Sequence, residues 1–340
     1  MPPARAGGHA VFEMPWLGFV AAVRGHPART RERGLHMTER ITPAMVTATT
    51  LNDINSSLAS LERTSDELSS GKTILEPSDN PYGASQVIDL QSQLDGLSSY
   101  ATNAKEGISW ENTAGGAMAN ISNVLQTVRE LLVQSSTGTE NQSDRESIAT
   151  EVDQLTEAVK QDANTQYAGQ YVFSGTDTTT IPYPQGIEDA YQGNTETISR
   201  AIGPGVSVDI STDISSLLGN GQASGDGKLL DTLRTISEHL RGGTAEDVSA
   251  LGSSDLKNLE ASIDTLSQLQ ATAGSVTDQL QTATSRIESL QGSIAASLSN
   301  TEDANIAQVS IAYSSEQAAY EAALRAGASI VQESLLQFLQ

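Results

Sequence analysis

Residues 51–61 read Leu51-Asn52-Asp53-Ile54-Asn55-Ser56-Ser57-Leu58-Ala59-Ser60-Leu61, and the same rhythm reaches Leu68. Leu51, Ile54, Leu58, Leu61 and Leu68 are separated by steps of three, four or seven. Near the other end, Ile306, Val309, Tyr313, Tyr320, Leu324, Val331, Leu335 and Phe338 keep that rhythm, with Leu336 beside Leu335. Such spacing places each set on one narrow seam of a helix, as in a coiled coil. A lone amphipathic helix has nothing to bury its seam against. The two ends are therefore expected to pack on each other, on neighbouring copies, or on both. The termini read as the adhesive of a building block.

Composition supports thin seams over a thick core. Aromatic residues make up 4% of the 340 residues, and cysteine is absent. Long helices with Leu, Ile, Val and Ala seams need less apolar mass per residue than a globule does. The formal net charge of −23 argues against a nucleic-acid partner, because phosphate binding needs a basic surface. It also argues against anionic membrane surfaces. Without cysteine there is no disulfide, no thiolate metal site and no Cys nucleophile. No apolar run approaches the ~20 residues of a membrane span.

Residues 1–36 differ from everything after them. They hold five Arg and two Glu, three of the four His (His9, His26, His36), four of ten Pro, and Trp16. Glu13 and Pro15 interrupt the apolar stretch from Val11 to Val23, and the basic cluster follows it, so a secretory signal matches poorly. This segment is expected to be a mis-assigned start, with Met37 the true first residue, or else a disordered leader.

From Met37 the first seam helix is expected to reach Gly71, a plausible helix stop. Glu76-Pro77-Ser78-Asp79-Asn80-Pro81-Tyr82-Gly83 is a run of turn residues. A second helix should start near Gly83, with Thr113-Ala114-Gly115-Gly116 loosening it. Two further helical stretches follow, around Ile121–Leu132 and Ile148–Val159. From Tyr171 to about Leu218 the composition shifts to Thr, Ile, Val, Tyr, Gly and Pro. Tyr171-Val172-Phe173 and Val206-Ser207-Val208-Asp209-Ile210 read as strands of a small inserted β module. Leu256 to Ile294 reads as one helix of ~45 residues, roughly 65 Å long. Asn300-Thr301-Glu302-Asp303 interrupts it before the last seam helix.

The expected fold is mainly α. An elongated antiparallel helical bundle or coiled coil is formed by both chain ends, with a small inserted β domain. The divisions are 37–82 with 296–340 as a terminal coiled-coil assembly domain, 83–170 with 228–295 as a helical rod, and 171–227 as a β-rich outer domain.

Catalytic chemistry is missing. Ser70-Gly71-Lys72-Thr73 resembles the end of a phosphate loop, but Asp66 stands where that motif needs glycine. Gly203-Pro204-Gly205 lacks the third glycine of a dinucleotide turn, which would fall at Val208. His239 is the sole His beyond the leader, so a zinc cluster or His triad has almost no material. It reads as a surface residue. No cofactor, metal or catalytic residue is assigned, and an enzyme is not expected.

The collected motifs resemble the flagellin superfamily. Met37-Thr38-Glu39-Arg40-Ile41-Thr42 is similar to a family N-terminus. Leu68-Ser69-Ser70-Gly71-Lys72-Thr73-Ile74 followed by Pro77-Ser78-Asp79-Asn80-Pro81 resembles the family's LSSGK-I-x-SDDP stretch, with Asn80 in place of the second Asp. Leu298-Ser299-Asn300-Thr301-Glu302-Asp303-Ala304 and Gln332-Glu333-Ser334-Leu335-Leu336-Gln337-Phe338-Leu339 resemble its C-terminal region. Within the superfamily, Asn164-Thr165-Gln166-Tyr167-Ala168-Gly169-Gln170-Tyr171-Val172-Phe173-Ser174-Gly175 is closer to the hook–filament junction family, hook-associated protein 3.

That resemblance implies a structural protein exported unfolded through the flagellar type III route, without a cleaved signal. It implies a ring-like homo-oligomer in the axial structure, with hook-associated protein 1, flagellin and a flagellar export chaperone as partners. Terminal helices disordered in the monomer would order on assembly. Two alternatives stand beside it: a flagellin filament subunit, and a surface ligand-binding module using Tyr171, Tyr183 and Tyr191 of the β insert. The bland reading of those tyrosines is packing within a small β domain.

Overall fold

The computed structural model describes residues 43–137 and 140–338; the side chains of residue 43 and of 331–338 lie outside the described residues. The leader and the Met37 start fall there too. The chain divides into two compact units, one of residues 57–320 and one made of the chain ends up to 56 and from 321.

Helix α1 spans Pro43–Ser70 and α8 spans Ile306–Phe338. Gly71 ends α1 with φ +72°, and its N–H donates to the Glu67 carbonyl at 2.9 Å. That left-handed backbone strains any residue with a Cβ, which accounts for glycine at the stop.

Helix α2, Pro81–Ser136, runs 56 residues, about 84 Å by helical rise. Its start is encoded locally. Asn80 is extended, its side-chain oxygen accepts the Gly83 N–H at 3.0 Å, and Pro81 occupies the first turn. Met118, Ile121, Leu125, Val128 and Leu132 are fully buried at helical spacing. The expected loosening at residues 113–116 does not occur. Two glycines cost the helix about 2 kcal/mol. The buried side chains on either side, Ala114 and Trp110 before and Ala117 and Met118 after, outweigh that.

Helix α7, Leu256–Glu302, packs along α2. Leu259, Leu266, Ala273, Leu280 and Ile287 are buried at steps of seven, the repeat of a left-handed supercoil. Arg129 pairs with Glu260 at 3.3 Å, and Lys105 with Glu288 at 3.8 Å, so residue numbers run in opposite senses and the helices are antiparallel. The long helix expected from Leu256 is present and extends eight residues further, to Glu302. The break falls at Asp303–Asn305.

Helix α3, Gln142–Ala163, packs on α2 and buries Ile148, Val152 and Val159. The insert follows. Strands β1 (Gln166–Tyr167) and β2 (Gln170–Tyr171) form a hairpin whose turn, Ala168-Gly169, has positive φ at both residues. Strands β3 (Ser199–Gly203) and β4 (Val206–Asp209) form a second antiparallel pair, with a register shift between Ala201 and Gly203. Val172, Phe173 and Ile210 were expected in strands. They lie just outside them, fully buried in the core, so burial and not ladder pairing explains their apolar character.

A short helix α4 (Ser215–Leu218) leads to α5 (Leu229–Gly242) and α6 (Ala245–Ala250). The segment from residue 228 was expected as part of a helical rod; its division into the separate helices α5 and α6 was not anticipated. Leu229, Leu230, Leu233, Ile236 and Leu240 of α5 are completely buried, and α5 packs on α3. A wide π turn at Leu251–Asp255 joins α6 to α7. His239 corrects the surface reading: its Nδ1 lies 2.7 Å from Oδ2 of Asp255, a buried carboxylate on that turn.

Candidate assembly interface

Two structural features bear on assembly: a stitch that joins the seam-helix bases, and the seams themselves. The stitch lies in the 57–320 unit. Lys72 pairs with Asp303 as an isolated antiparallel bridge, and the Lys72 ammonium contacts the Glu302 carboxylate. Thr73 donates its backbone N–H to the Glu302 carbonyl at 2.7 Å and its hydroxyl to the same oxygen at 3.0 Å. The Ala304 N–H donates to the Gly71 carbonyl at 2.8 Å. The end of α1 and the α7–α8 joint are thus held by main-chain bonds, although about 230 residues separate them.

The Pro77–Gly83 turn carries the chain away. Asp79 accepts the N–H groups of Glu76 and Leu75 at 3.0 and 3.1 Å, which hold its carboxyl below the usual range, and pairs with Arg63 at 3.3 Å. A Cβ on Gly83 would come within 2.6 Å of both Ile74 Cδ1 and Asn80 Nδ2, so a larger residue where the turn enters α2 must displace those two side chains, the Asn80 cap among them. The LSSGK–SDNP pattern is therefore a set of turn and cap requirements.

The seam positions divide between the units. In the 57–320 unit, Leu58, Leu61 and Leu68 of α1 and Tyr313 and Tyr320 of α8 are half-buried; Val309 is buried and Ile306 exposed. In the unit of the chain ends, Leu51 is 56% exposed and Leu324 43% exposed. There α1 and α8 approach closely. A Cβ at Gly327 would meet Ile54 Cδ1 at 2.9 Å and Thr50 Cγ2 at 3.3 Å. Thr47, Thr50, Leu51, Ile54, Gly327 and Ile330 line a cavity of about 60 Å³. Residues 331, 335, 336 and 338 continue the helix; the side chains of Val331, Leu335, Leu336 and Phe338 lie outside the described residues. Sequence reading missed Gly327, whose signal was a glycine inside an apolar seam.

Apart from Val309, every seam side chain described retains solvent exposure in the single chain. Half-exposed Leu, Ile and Tyr on a continuous stripe gain free energy only when another apolar surface covers them, at about 25 cal/mol per Å².

Two of the three outer tyrosines pack within the insert, and Tyr171 is half-buried. Tyr183 is fully buried, and its hydroxyl donates to the Gly219 carbonyl at 2.9 Å. The Tyr191 hydroxyl lies 2.8 Å from the Phe173 carbonyl and 2.9 Å from that of Asn194. Lys160, with no exposed surface, anchors the neighbouring loop. Its ammonium donates to the Gly186 and Glu188 carbonyls at 2.7 and 3.0 Å and to Asp189 at 2.9 Å. Arg234 closes the cluster on Asp189 and Glu157, at 2.9 Å each. Among the described residues no cluster of His, Asp or Glu could hold a metal ion, and no helix is long and apolar enough to cross a membrane.

Comparison with known proteins places this architecture. Residues 41–178 match the family model of the bacterial flagellin N-terminal helical region. The flagellin of Bacillus subtilis is 26% identical over 277 residues, covering 79% of this chain and 88% of that protein. Phase 2 flagellin of Salmonella typhimurium is 33% identical over 213 residues, 61% of this chain but 39% of that longer protein. Among solved structures, a Vibrio parahaemolyticus protein described as flagellar hook-associated superposes with a TM-score of 0.60 at 16% identity, covering 66% of this chain and all of that one. The flagellar junction protein FlgL of Legionella pneumophila superposes with a TM-score of 0.52 at 14% identity, over 64% and 99% of the two chains. Residues 41–178 thus resemble the flagellin N-terminal helical region, and the fold of about two thirds of the chain is similar to those of flagellar hook-associated and junction proteins.

Proposed function

We propose that this chain is the adaptor of the hook–filament junction, joining hook-associated protein 1 to the first flagellin subunits through its terminal seams. The observation that carries this reading is the match in fold to a junction protein over 99% of that protein's length. In this account residues 37–82 and 296–340 form the assembly domain, 83–170 and 228–295 the rod, and 171–227 the outer domain. Copies associate in a ring, with Leu51, Ile54, Leu58, Leu61, Leu68, Ile306, Val309, Tyr313, Tyr320, Leu324, Val331, Leu335, Leu336 and Phe338 covering one another. Export runs through the flagellar type III route without a cleaved signal, escorted by an export chaperone.

One observation favours a second reading, the filament subunit: the Bacillus subtilis flagellin aligns over 88% of its length. Copy number separates the two. Quantitative mass spectrometry of sheared, purified flagella should find this chain as a trace component beside an abundant, separate flagellin. If it were the major protein, the filament reading would replace the junction reading.

A further inference from the structure

The α2–α7 pair has a notch that nothing among the described residues fills. Glu111, Asn112 and Gly115 of α2 face Ala273, Gly274 and Asp278 of α7 around an open volume of about 400 Å³. A Cβ placed on Gly115 or Gly274 would meet no atom within 4 Å. Glycine inside a helix costs about 1 kcal/mol relative to alanine. Close packing requires it at Gly107, where a Cβ would lie 3.0 Å from Leu280, but not at these two positions. The space they leave has no use within a single chain.

Glu111 is an independent sign of an occupant. It is 3% exposed, and its Oε2 has no hydrogen-bond partner. A buried, unpartnered carboxyl is costly and is relieved by a donor. The lining supplies no cation; its charged members are Glu111 on α2 and Asp278 on α7. A positive side chain entering from outside would supply Glu111 with a donor and face Asp278 as well.

The chain carries such a group. Among the described residues, Arg286 and Lys257 are the cations without an ion-pair or hydrogen-bond partner, and both are exposed on α7. A guanidinium suits a carboxylate in a confined site better than an ammonium does, because its fork donates two parallel bonds. Arg286 stands about 18 Å along α7 from Gly274 by helical rise, beyond the reach of its own side chain. We propose that the notch is a socket for Arg286 of a second copy of this chain, so that neighbouring rods lie side by side with an axial stagger. Socket and plug are different patches, so the contact is heterologous and can repeat from copy to copy. The inference rests on the assembly role proposed above and names a contact within it.

The test uses the full chain. Self-association is followed by sedimentation over a concentration series for wild type, Arg286→Ala, Gly115→Leu/Gly274→Leu, and all three changes together. Arg286→Ala should keep wild-type helicity and melting temperature, and the variants that replace the two helical glycines should melt no lower than wild type. Both variants should weaken association at least tenfold, and the triple variant should be no weaker than the weaker of the two, since one contact is lost in each case. Wild-type association by either variant, or a wild type monomeric at every concentration, overturns the socket. Arg286→Ala decides the matter even if the filled notch fails to fold. Counting the chain in sheared flagella separates the two claims. Normal incorporation of Arg286→Ala sinks the socket and leaves the junction role, whereas absence of wild type sinks the role while sedimentation still judges the socket.

Discussion

Thr73 directs two donors, its backbone N–H and its hydroxyl, onto the single carbonyl oxygen of Glu302, at 2.7 and 3.0 Å. That oxygen belongs to the last residue of α7, where helix carbonyls have lost their own partners. The same pair of segments is tied by Lys72 on the Glu302 carboxylate and by Ala304 on Gly71. The stitch therefore serves two ends at once: it caps α7 and fixes where α8 begins.

Thr73→Val should remove one of the two bonds and leave the backbone donor in place. A net loss of about 1 kcal/mol is expected. Urea unfolding of the full chain measures it. A larger benefit to the capped end would appear as faster amide exchange at Asp303 and Ala304.

Gly71→Ala and Gly83→Ala should differ although both replace a turn glycine. At Gly71 the space is open and only the positive φ of +72° is strained, which costs about 1 kcal/mol. At Gly83 the added Cβ meets Ile74 and the Asn80 cap at 2.6 Å, so both side chains must move and the cap of α2 is disturbed. Thermal melts should rank Gly83→Ala as the more damaging change. Equal losses would contradict the account of the turn.

Asp189→Asn should strand Lys160. Burial opposes ionisation of Asp189, but hydrogen bonds from Arg234 and Lys160 hold its carboxyl below the ordinary value of 3.8. A depressed folded-state value means that its stabilisation is present above the unfolded value and is lost as pH falls through the folded one. Breaking one partner of such a buried pair costs about 3 kcal/mol. Hydrogen exchange should show the 182–190 loop opening first, with the α2–α7 pair unaffected.

Glu111 gives the opposite pH dependence. Burial pushes its carboxyl up to about 7 from 4.5. Below 4.5 the group is protonated folded and unfolded, and contributes no pH dependence. As pH rises from there to about 7, the unfolded chain releases its proton first, so stability falls, by up to about 3 kcal/mol, and stays low above. Glu111→Gln should flatten that decline and raise stability at pH 8. Denaturant titrations at pH 5 and pH 8 decide it; an unchanged slope between them would contradict the burial of the charge.

What could be read from sequence follows the periodicity. The seams around Leu51–Leu68 and Ile306–Phe338, the heptads from Leu259 to Ile287, and the turn at Pro77–Gly83 each repeat a local signal, and each is helix or turn in the structure. Misreadings arose where tertiary packing outweighs local preference. Gly115 and Gly116 look like a break but sit in a helix held by Trp110, Ala114 and Met118. Val172 and Phe173 look like a strand but are core plugs. The stripe Leu229, Leu233, Ile236 and Leu240 of α5 was legible at helical spacing, but the reading went no further than a helical rod from residue 228. The Thr73–Glu302 and His239–Asp255 contacts join residues that no spacing rule connects.

The central claim is that the exposed seams of the chain ends are the assembly surface. Leu51→Asp with Leu324→Asp changes two side chains that are already exposed, so the monomer should fold with wild-type helicity. Covering either carboxylate in an assembled seam would cost several kcal/mol. The measurement is incorporation of this variant, counted in sheared flagella from cells whose own copy has been deleted. The account predicts a secreted, folded protein that is missing from the flagella. Incorporation at the wild-type copy number would contradict it.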